Sequence, residues 1–288
     1  MSAGLRVLVT GAGGMLGRDV VRACELRGQR VLGLTHADLD LIDGSAVDDA
    51  IAGQRPDVVV NCAAWTDVDG AEDHEDQATR VNSEAAGVVA SAAASVGARV
   101  VYPSTDYVFK GDKGSPYVES DLTAPLSAYG RSKLGGETSV AVANERHFIV
   151  RSSWLYGVGG RNFVETMLAI GADQPEVIVV SDQVGCPTYT AHLATSIAAL
   201  IEGEAYGLHH LAGGGSCSWY EFAQEIFDQY GVECRVMAST TDMLARKARR
   251  PSYSVLESER TDAVKLPSWR QGLAAYLAER ETLEVGAP

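Results

Sequence analysis

The chain is poor in cationic residues for its length. Its 24 lysines and arginines face 38 aspartates and glutamates, a formal net charge of −14 over 288 residues. No basic stripe is long enough to follow a phosphate backbone, so nucleic acid is not an expected partner. Cysteine is scarce too. Cys24, Cys62, Cys186, Cys217 and Cys234 are odd in number, scattered and without a C-x-x-C pair, which fits reduced, mostly buried thiols and excludes a disulfide frame or a zinc site. No run of about 18 apolar residues occurs, and no charged segment followed by an apolar core opens the chain; a soluble protein of the cytoplasm, off the membrane, is expected. Internal repeats and low-complexity tracts are absent. What remains is an ordinary globular composition, 46% hydrophobic and 22% charged, enough for one large or two modest domains.

Against that background one stretch stands out. Residues 5–17 form a β-branched run that stops at Thr10 and gives way to Gly11, Gly13, Gly14 and Gly17. This is a strand, a tight turn and a helix start. Gly11 suits the turn, Gly14 lets backbone N–H groups approach a pyrophosphate, and Gly17 lets the helix pack close to the sheet, with the positive end of the helix dipole facing the phosphates. A purely structural turn is the alternative. The position after a buried-type strand and before an amphipathic helix (Leu16, Val20, Val21, Cys24, closed by Gly28) favours a dinucleotide-binding βαβ unit. Met15, Leu16 and Arg18 join the glycines as expected cofactor contacts.

Further strands at 30–34 and 56–61, with a helix at 45–52 between them, imply a parallel sheet. After the third strand come Ala63 and Ala64, small residues that either let backbone approach the cofactor or simply pack tightly. Residues 67–76 carry Asp67, Asp69, Glu72, Asp73, Glu75 and Asp76 beside His74. Acids favour the first turns of a helix, and a long Ala-rich helix to Ser95 follows, so no metal site is expected. Asn82 inside it is either a satisfied core amide or part of an active-site hydrogen-bond chain.

The strand at 99–102 ends in Pro103-Ser104-Thr105-Asp106-Tyr107, hydroxyl and carboxyl groups where open α/β sheets place their ligands. A later helix opens at Ala128, and its Tyr129 and Lys133 share one face. A phenol has a reference pKa of about 10; an ammonium one turn away is expected to lower it, making Tyr129 a general acid for a carbonyl oxygen that receives hydride. Lys133 also reaches toward a cofactor ribose in this arrangement, and Thr105 orients the same carbonyl.

Seven motifs carry a resemblance: Gly-Ala-Gly-Gly-Met-Leu-Gly at 11–17, Arg-Pro-Asp-Val-Val-Val-Asn at 55–61, Ser-Thr-Asp-Tyr-Val-Phe at 104–109, Thr-Ala-Pro-Leu-Ser-Ala-Tyr-Gly-Arg-Ser-Lys at 123–133, Arg-Asn-Phe-Val-Glu-Thr-Met at 161–167, Asp-Gln-Val-Gly-Cys-Pro-Thr at 182–188 and Ala-Arg-Arg-Pro at 248–251. Over nearly its full length the chain resembles the extended short-chain dehydrogenase/reductase superfamily and, within it, the dTDP-4-dehydrorhamnose reductases. That resemblance implies Thr105, Tyr129 and Lys133 as the catalytic set, Trp154 against the sugar, and Thr105 with Asp106 touching the substrate. It implies NAD(P)H-dependent reduction of the C4 ketone of a dTDP-linked 4-keto-6-deoxysugar, dTDP-4-dehydro-L-rhamnose or that of a related pathway. Nucleotide-sugar dehydratases of the superfamily carry an acidic pair after the active-site Thr; here Asp106 is followed by Tyr107, so no dehydration is expected. A second reading is a non-catalytic regulatory subunit, because the partner of methionine adenosyltransferase in animals resembles the same family.

The expected architecture is α/β, a Rossmann-type doubly wound parallel sheet with a smaller, interleaved C-terminal substrate-binding lobe. Residues 1–153 form the cofactor domain, to which 190–205 return as a helix, and 154–288 form mainly the substrate lobe. Strands are expected at 147–151 and 177–180, and Ser218-Trp219-Tyr220-Glu221 and Ser268-Trp269-Arg270-Gln271 open helices as capping boxes. Arg246, Lys247, Arg249 and Arg250 either meet the pyrophosphate of a nucleotide sugar, with Arg250 a substrate contact, or solvate a helix end. After the second strand comes Leu34-Thr35-His36-Ala37, where NAD-selective folds place an acid. With Arg18 and His36 in reach of a 2′-phosphate, and Asp40 and Leu41 further along the same cofactor face, NADPH is expected over NADH by about tenfold, ~1.4 kcal/mol, with NADH also accepted. A homodimer is one assembly open to the chain.

Overall fold

Short Val- and Leu-rich segments bounded by Gly, Pro and Asp make strands, and the amphipathic runs between them make helices. The structure is a computed structural model that describes residues 4–244 and 246–285. Its first half contains β1 (Arg6–Thr10), α1 (Met15–Leu26), β2 (Arg30–Leu34), α2 (Gly44–Gln54), β3 (Val58–Asn61), α3 (Glu75–Thr79), a π turn at Arg80–Glu84, α4 (Ala85–Ser95), β4 (Arg99–Thr105), α5 (Ala128–Ala143) and β5 (His147–Ser152). The second half contains β6 (Leu155–Tyr156), α6 (Phe163–Asp173), β7 (Glu176–Val180), β8 (Val184–Gly185), β9 (Thr188–Tyr189), α7 (Thr190–Leu200), β10 (Gly207–His210), β11 (Cys217–Ser218), α8 (Trp219–Tyr230), β12 (Arg235–Ser239) and α9 (Trp269–Val285).

Six strands form one parallel sheet in the order β10-β5-β4-β3-β1-β2. Both faces are covered, as a parallel sheet requires. On one face Val7 and Val9 pack with Val20 and Cys24 of α1 and Leu193 and Ile197 of α7. On the other, Leu8, Val59 and Val100 pack with Val47, Ile51, Val89 and Val140 of α2, α4 and α5. The doubly wound sheet expected from the sequence is therefore present. Because β2 and β3 flank β1 on opposite sides, the strand order reverses at β1, and the crevice opens at the carboxyl ends of β1 and β3.

The smaller lobe holds a parallel pair β7–β12, an antiparallel pair β8–β11 and a core built on Tyr156, Phe222, Phe227, Trp269 and Tyr276. The lobes interleave more deeply than a single returning helix. Besides α7, which packs against α1, β10 adds an edge strand beside β5. Its sequence, Gly-Leu-His-His, carries no β-branched signal; pairing with β5 makes it a strand. Both capping boxes form, Ser218 with Glu221 and Ser268 with Gln271, and Gly231 closes α8 at φ +69°. The helix expected to run unbroken to Ser95 instead contains the π turn that carries Asn82. Among the described residues no helix is long and apolar enough to cross a membrane.

Candidate active site

The carboxyl ends of β1 and β3 are tied by Thr10, whose hydroxyl donates to Asn61 Oδ1 at 2.7 Å, while Asn61 Nδ2 is buried and unpartnered beside the crevice. Gly11 sits at φ +65°, and a Cβ there would come within 2.5 Å of Ala63 N; one on Gly17 would lie 2.2 Å from the Gly11 carbonyl oxygen. Gly14 differs. The nearest atom to a Cβ there, the Gly11 carbonyl oxygen, is 3.5 Å away, an ordinary contact that a side chain would tolerate. Helix α1 starts at this point without a side-chain cap and without an acid in its first turn, leaving its first N–H groups to an anion. The cradle has the shape for a dinucleotide pyrophosphate, which backbone of Gly11, Gly14, Met15, Leu16 and Gly17 would hold; the Leu16 side chain itself is core.

The rim of this crevice departs from expectation in three ways. The Arg18 guanidinium and the Met15 side chain lie against Gly159 and Gly160 of the facing lobe, so Arg18 is engaged at the seam between lobes. At the end of β2 the chain doubles back. Asp38 accepts hydrogen bonds from Thr35 N at 2.9 Å and Thr35 Oγ1 at 2.7 Å, which hold its carboxyl below the usual range. A carboxylate thus occupies the place expected to be free of one, and His36 beside it is exposed. Leu41 is buried in the core against the sheet, and Asp40 accepts from Ile42 N, so these two side chains have structural partners. Ala63 lies with its backbone at Gly11, as a close approach requires, and Ala64 follows it along the rim.

Deeper in the crevice the ends of β4 and α5 meet. Ser127 caps α5 by accepting from Gly130 N at 3.1 Å, and Glu72 accepts from Ala128 N at 2.8 Å. This fixes the first turn, which carries Tyr129. The Tyr129 side chain is half-buried beside Thr105, and loss of solvent at the phenol pushes it up to about 12. Lys133 lies one turn on but does not lower the phenol as expected. Its ammonium donates to Pro103 O at 2.7 Å and sits 3.9 Å from the Tyr102 ring centroid, and desolvation brings it down to about 7. Asp106 is 2% exposed; Thr105 Oγ1 donates to it at 3.1 Å and Ser254 Oγ at 2.5 Å. Behind Lys133, Glu137 receives a bidentate pair from Arg151 at 2.8 and 2.6 Å and a third bond from Ser104, a buried ion pair under the site.

The model of the RmlD substrate binding domain matches residues 5–282. The chain belongs to this family. A dTDP-4-dehydrorhamnose reductase of Streptomyces griseus is 46% identical and aligns with 94% of this chain and 91% of its own. The spore coat polysaccharide biosynthesis protein SpsK of Bacillus subtilis (strain 168) is 40% identical, covering 96% of this chain and 98% of its own. A solved dTDP-4-dehydrorhamnose reductase of Clostridium acetobutylicum ATCC 824 matches with a TM-score of 0.94 at 41% identity, over 96% of this chain and 100% of that one. That of Bacillus anthracis str. Ames, in complex with NADP, matches with 0.93 at 39% identity, over 96% and 99%.

In this member of the RmlD family the outer wall of the site is aromatic. Trp154 follows β5 at φ +50°, a left-handed backbone that costs a bulky residue energy and is kept where surroundings enforce it. Its ring stacks on Trp219, centroids 3.6 Å apart and planes 7° from parallel, and covers Gly185 where a Cβ would clash. Of the basic cluster, Arg246, Lys247 and Arg250 have carboxylate partners in the facing lobe and Arg249 is exposed. Arg250 makes a bidentate pair with Asp69 at 3.1 and 2.8 Å and donates to Ala248 O at 2.9 Å, Lys247 pairs with Asp73, and Arg246 approaches Asp69 at 3.8 Å. The acidic stretch after β3 and the basic stretch of the other lobe are thus each other's partners, and Arg250, expected on the substrate, has its fork on Asp69. Asn82 resolves both of its earlier readings into one: its amide accepts from Trp65 N at 2.9 Å and donates to Trp65 O and Ser132 Oγ, linking the loop after β3 to the active-site helix.

Proposed function

We propose that the chain is an NADPH-dependent reductase that converts the C4 ketone of a dTDP-4-keto-6-deoxyhexose to an alcohol, dTDP-4-dehydro-L-rhamnose to dTDP-L-rhamnose. The observation that carries this reading is the Tyr129 phenol standing beside Thr105 and the glycine cradle, in a chain of the RmlD family. When bound, NADPH supplies the hydride. The residues of the chain do the rest. The cradle of α1 takes the pyrophosphate, Thr105 and Tyr129 hold the ketone oxygen, and Tyr129 keeps its proton until negative charge develops there, since a phenol near 12 ionises only against a strong base. Lys133 fixes the end of β4 through Pro103 O and presents its cationic head at the same edge. Trp154, on the lobe made mainly of residues 154–288, offers a flat apolar face to the sugar.

Tyr107 speaks for reduction over dehydration. It occupies the place of the second acid, its ring edge-on to Tyr129 at 6.0 Å. Mixing the protein with NADPH and a dTDP-4-keto-6-deoxyhexose is expected to consume the reduced nicotinamide. Tyr129→Phe is expected to lower kcat by about two orders of magnitude or more while NADPH still binds; near-normal turnover in that variant would remove Tyr129 from the chemistry.

A further inference from the structure

Trp154 leaves the end of β5 in a left-handed backbone, φ +50°, that a bulky residue keeps only under constraint. The constraint on its backbone comes from the β8–β9 segment. Thr188 N donates to Trp154 O at 3.2 Å, and Cys186 N donates to the Oγ of Ser153, one residue earlier, at 3.2 Å. Those bonds place the peptide and leave the rotamer of the ring to its neighbours. Two contacts bear on the ring. Gly185 gives it room, since a Cβ there would come within 2.6 Å of Trp154 Cε2, and Trp219 stacks on it with centroids 3.6 Å apart and planes 7° from parallel. The β8–β11 pair brings these two neighbours together: Cys217 lies opposite Gly185 and Ser218 opposite Val184, so Trp219 opens α8 right beside the Trp154 ring. Trp219 is itself packed on Phe163 of α6, centroids 4.5 Å apart. Both indoles remain partly exposed, which makes the pair a wall with an open side and not a piece of core.

We propose that Trp219 is a positioning residue for the sugar, holding the Trp154 ring at the angle at which the hexose meets it and acting on the substrate through Trp154 alone. This rests on Trp154 lying against the sugar. A flat ring already stacked on a second flat ring needs no ordering when the sugar arrives, and such preorganisation strengthens binding. Without Trp219 the peptide of Trp154 keeps its two anchors, but the ring gains rotamers and must be ordered by the substrate. The loss falls on KM for the sugar. Thr105 and Tyr129 stand on β4 and α5 and the cofactor cradle on α1, none of which carries the stack, so hydride transfer and NADPH binding are spared.

A double-mutant cycle on Trp154 and Trp219 tests this, read as KM for a dTDP-4-keto-6-deoxyhexose, kcat, and the Kd of NADPH. Trp219→Leu is expected to raise KM about tenfold, with kcat within about twofold of the parent and NADPH affinity unchanged. Trp219→Phe, which keeps a flat ring in place, is expected to recover most of that loss. In a Trp154→Leu background Trp219→Leu is expected to add nothing. An unchanged KM in Trp219→Leu, or two KM effects that multiply when combined, overturns the proposal. A parallel loss of kcat and NADPH affinity in Trp219→Leu, with no recovery in Trp219→Phe, makes Trp219 an ordinary packing residue and overturns it equally. Trp154→Leu with a normal KM would instead remove Trp154 from the sugar and so sink the parent placement, whatever Trp219→Leu does.

Discussion

Asp38 shows how a short turn can bring a carboxylate to a strand end that the sequence leaves free of one. The turn at Thr35 returns its carboxylate to the end of β2, where a 2′-phosphate would meet negative charge, yet both of its hydrogen bonds to Thr35 tie it to the turn. NADPH is still expected to be used about tenfold better than NADH, and Asp38→Ala is expected to widen that ratio by removing the charge; kcat/KM with each cofactor at saturating sugar decides it, and a ratio that narrows would count against the assignment. At this scale the sequence was legible where chemistry is local. Tyr129 and Lys133 share a helical face by their spacing, and Thr105 ends a strand. Ser254 was not, since it reaches Asp106 from 148 positions away and no periodicity marks it. The acidity of Tyr129 was misjudged because spacing places Lys133 near it without saying where the ammonium points; Pro103 O and the Tyr102 face draw it away.

Among the elements, the π turn between α3 and α4 governs the site most directly. An extra residue in that turn aims Asn82 inward, as π turns at functional sites do, and Asn82 then clamps Trp65 and Ser132. Ser132 in turn donates to the Tyr129 carbonyl at 2.8 Å. Asn82→Ala would leave the Trp65 backbone groups and one hydroxyl without this partner, at a cost of about 2–3 kcal/mol measurable by urea unfolding, with kcat falling as α5 loosens. A variant as stable and active as the parent would show the clamp to be incidental. Residues 80–84 gave no sign of the turn, because side-chain patterning marks a helix without showing where its hydrogen bonds lengthen by one residue. The two capped helices, by contrast, were legible from Ser218 with Glu221 and Ser268 with Gln271, since a capping box is a local device.

For the whole molecule, the seam between lobes explains two charge clusters that looked unrelated. Arg250 with Asp69 and Lys247 with Asp73 bridge segments more than 170 positions apart, and the same acidic stretch reaches α5 through Glu72 to Ala128 N and Glu75 to Arg131. These contacts join the smaller lobe to the helix that carries Tyr129. Asp69→Asn is expected to raise KM for the sugar by roughly tenfold with little change in NADPH affinity; an unchanged KM would make the seam merely structural. Asp69 is held below the usual carboxylate range by Arg250, so the seam's stabilisation is present above that range and is lost as pH falls through the lowered value. The parallel sheet was legible from the alternation of strands and helices; β10 and the charge seam were not, since both depend on contacts that close only once the lobes interleave. The proposed reaction itself is tested most directly by following the hydride, with NADPH deuterated at the transferred position and a dTDP-4-keto-6-deoxyhexose as acceptor. Mass spectrometry is predicted to show product with one deuterium at sugar C4 for the wild-type chain and, for Tyr129→Phe, the same label in about a hundredfold less product per unit time, whereas binding of both ligands without transfer would contradict the reductase reading and favour a non-catalytic regulator.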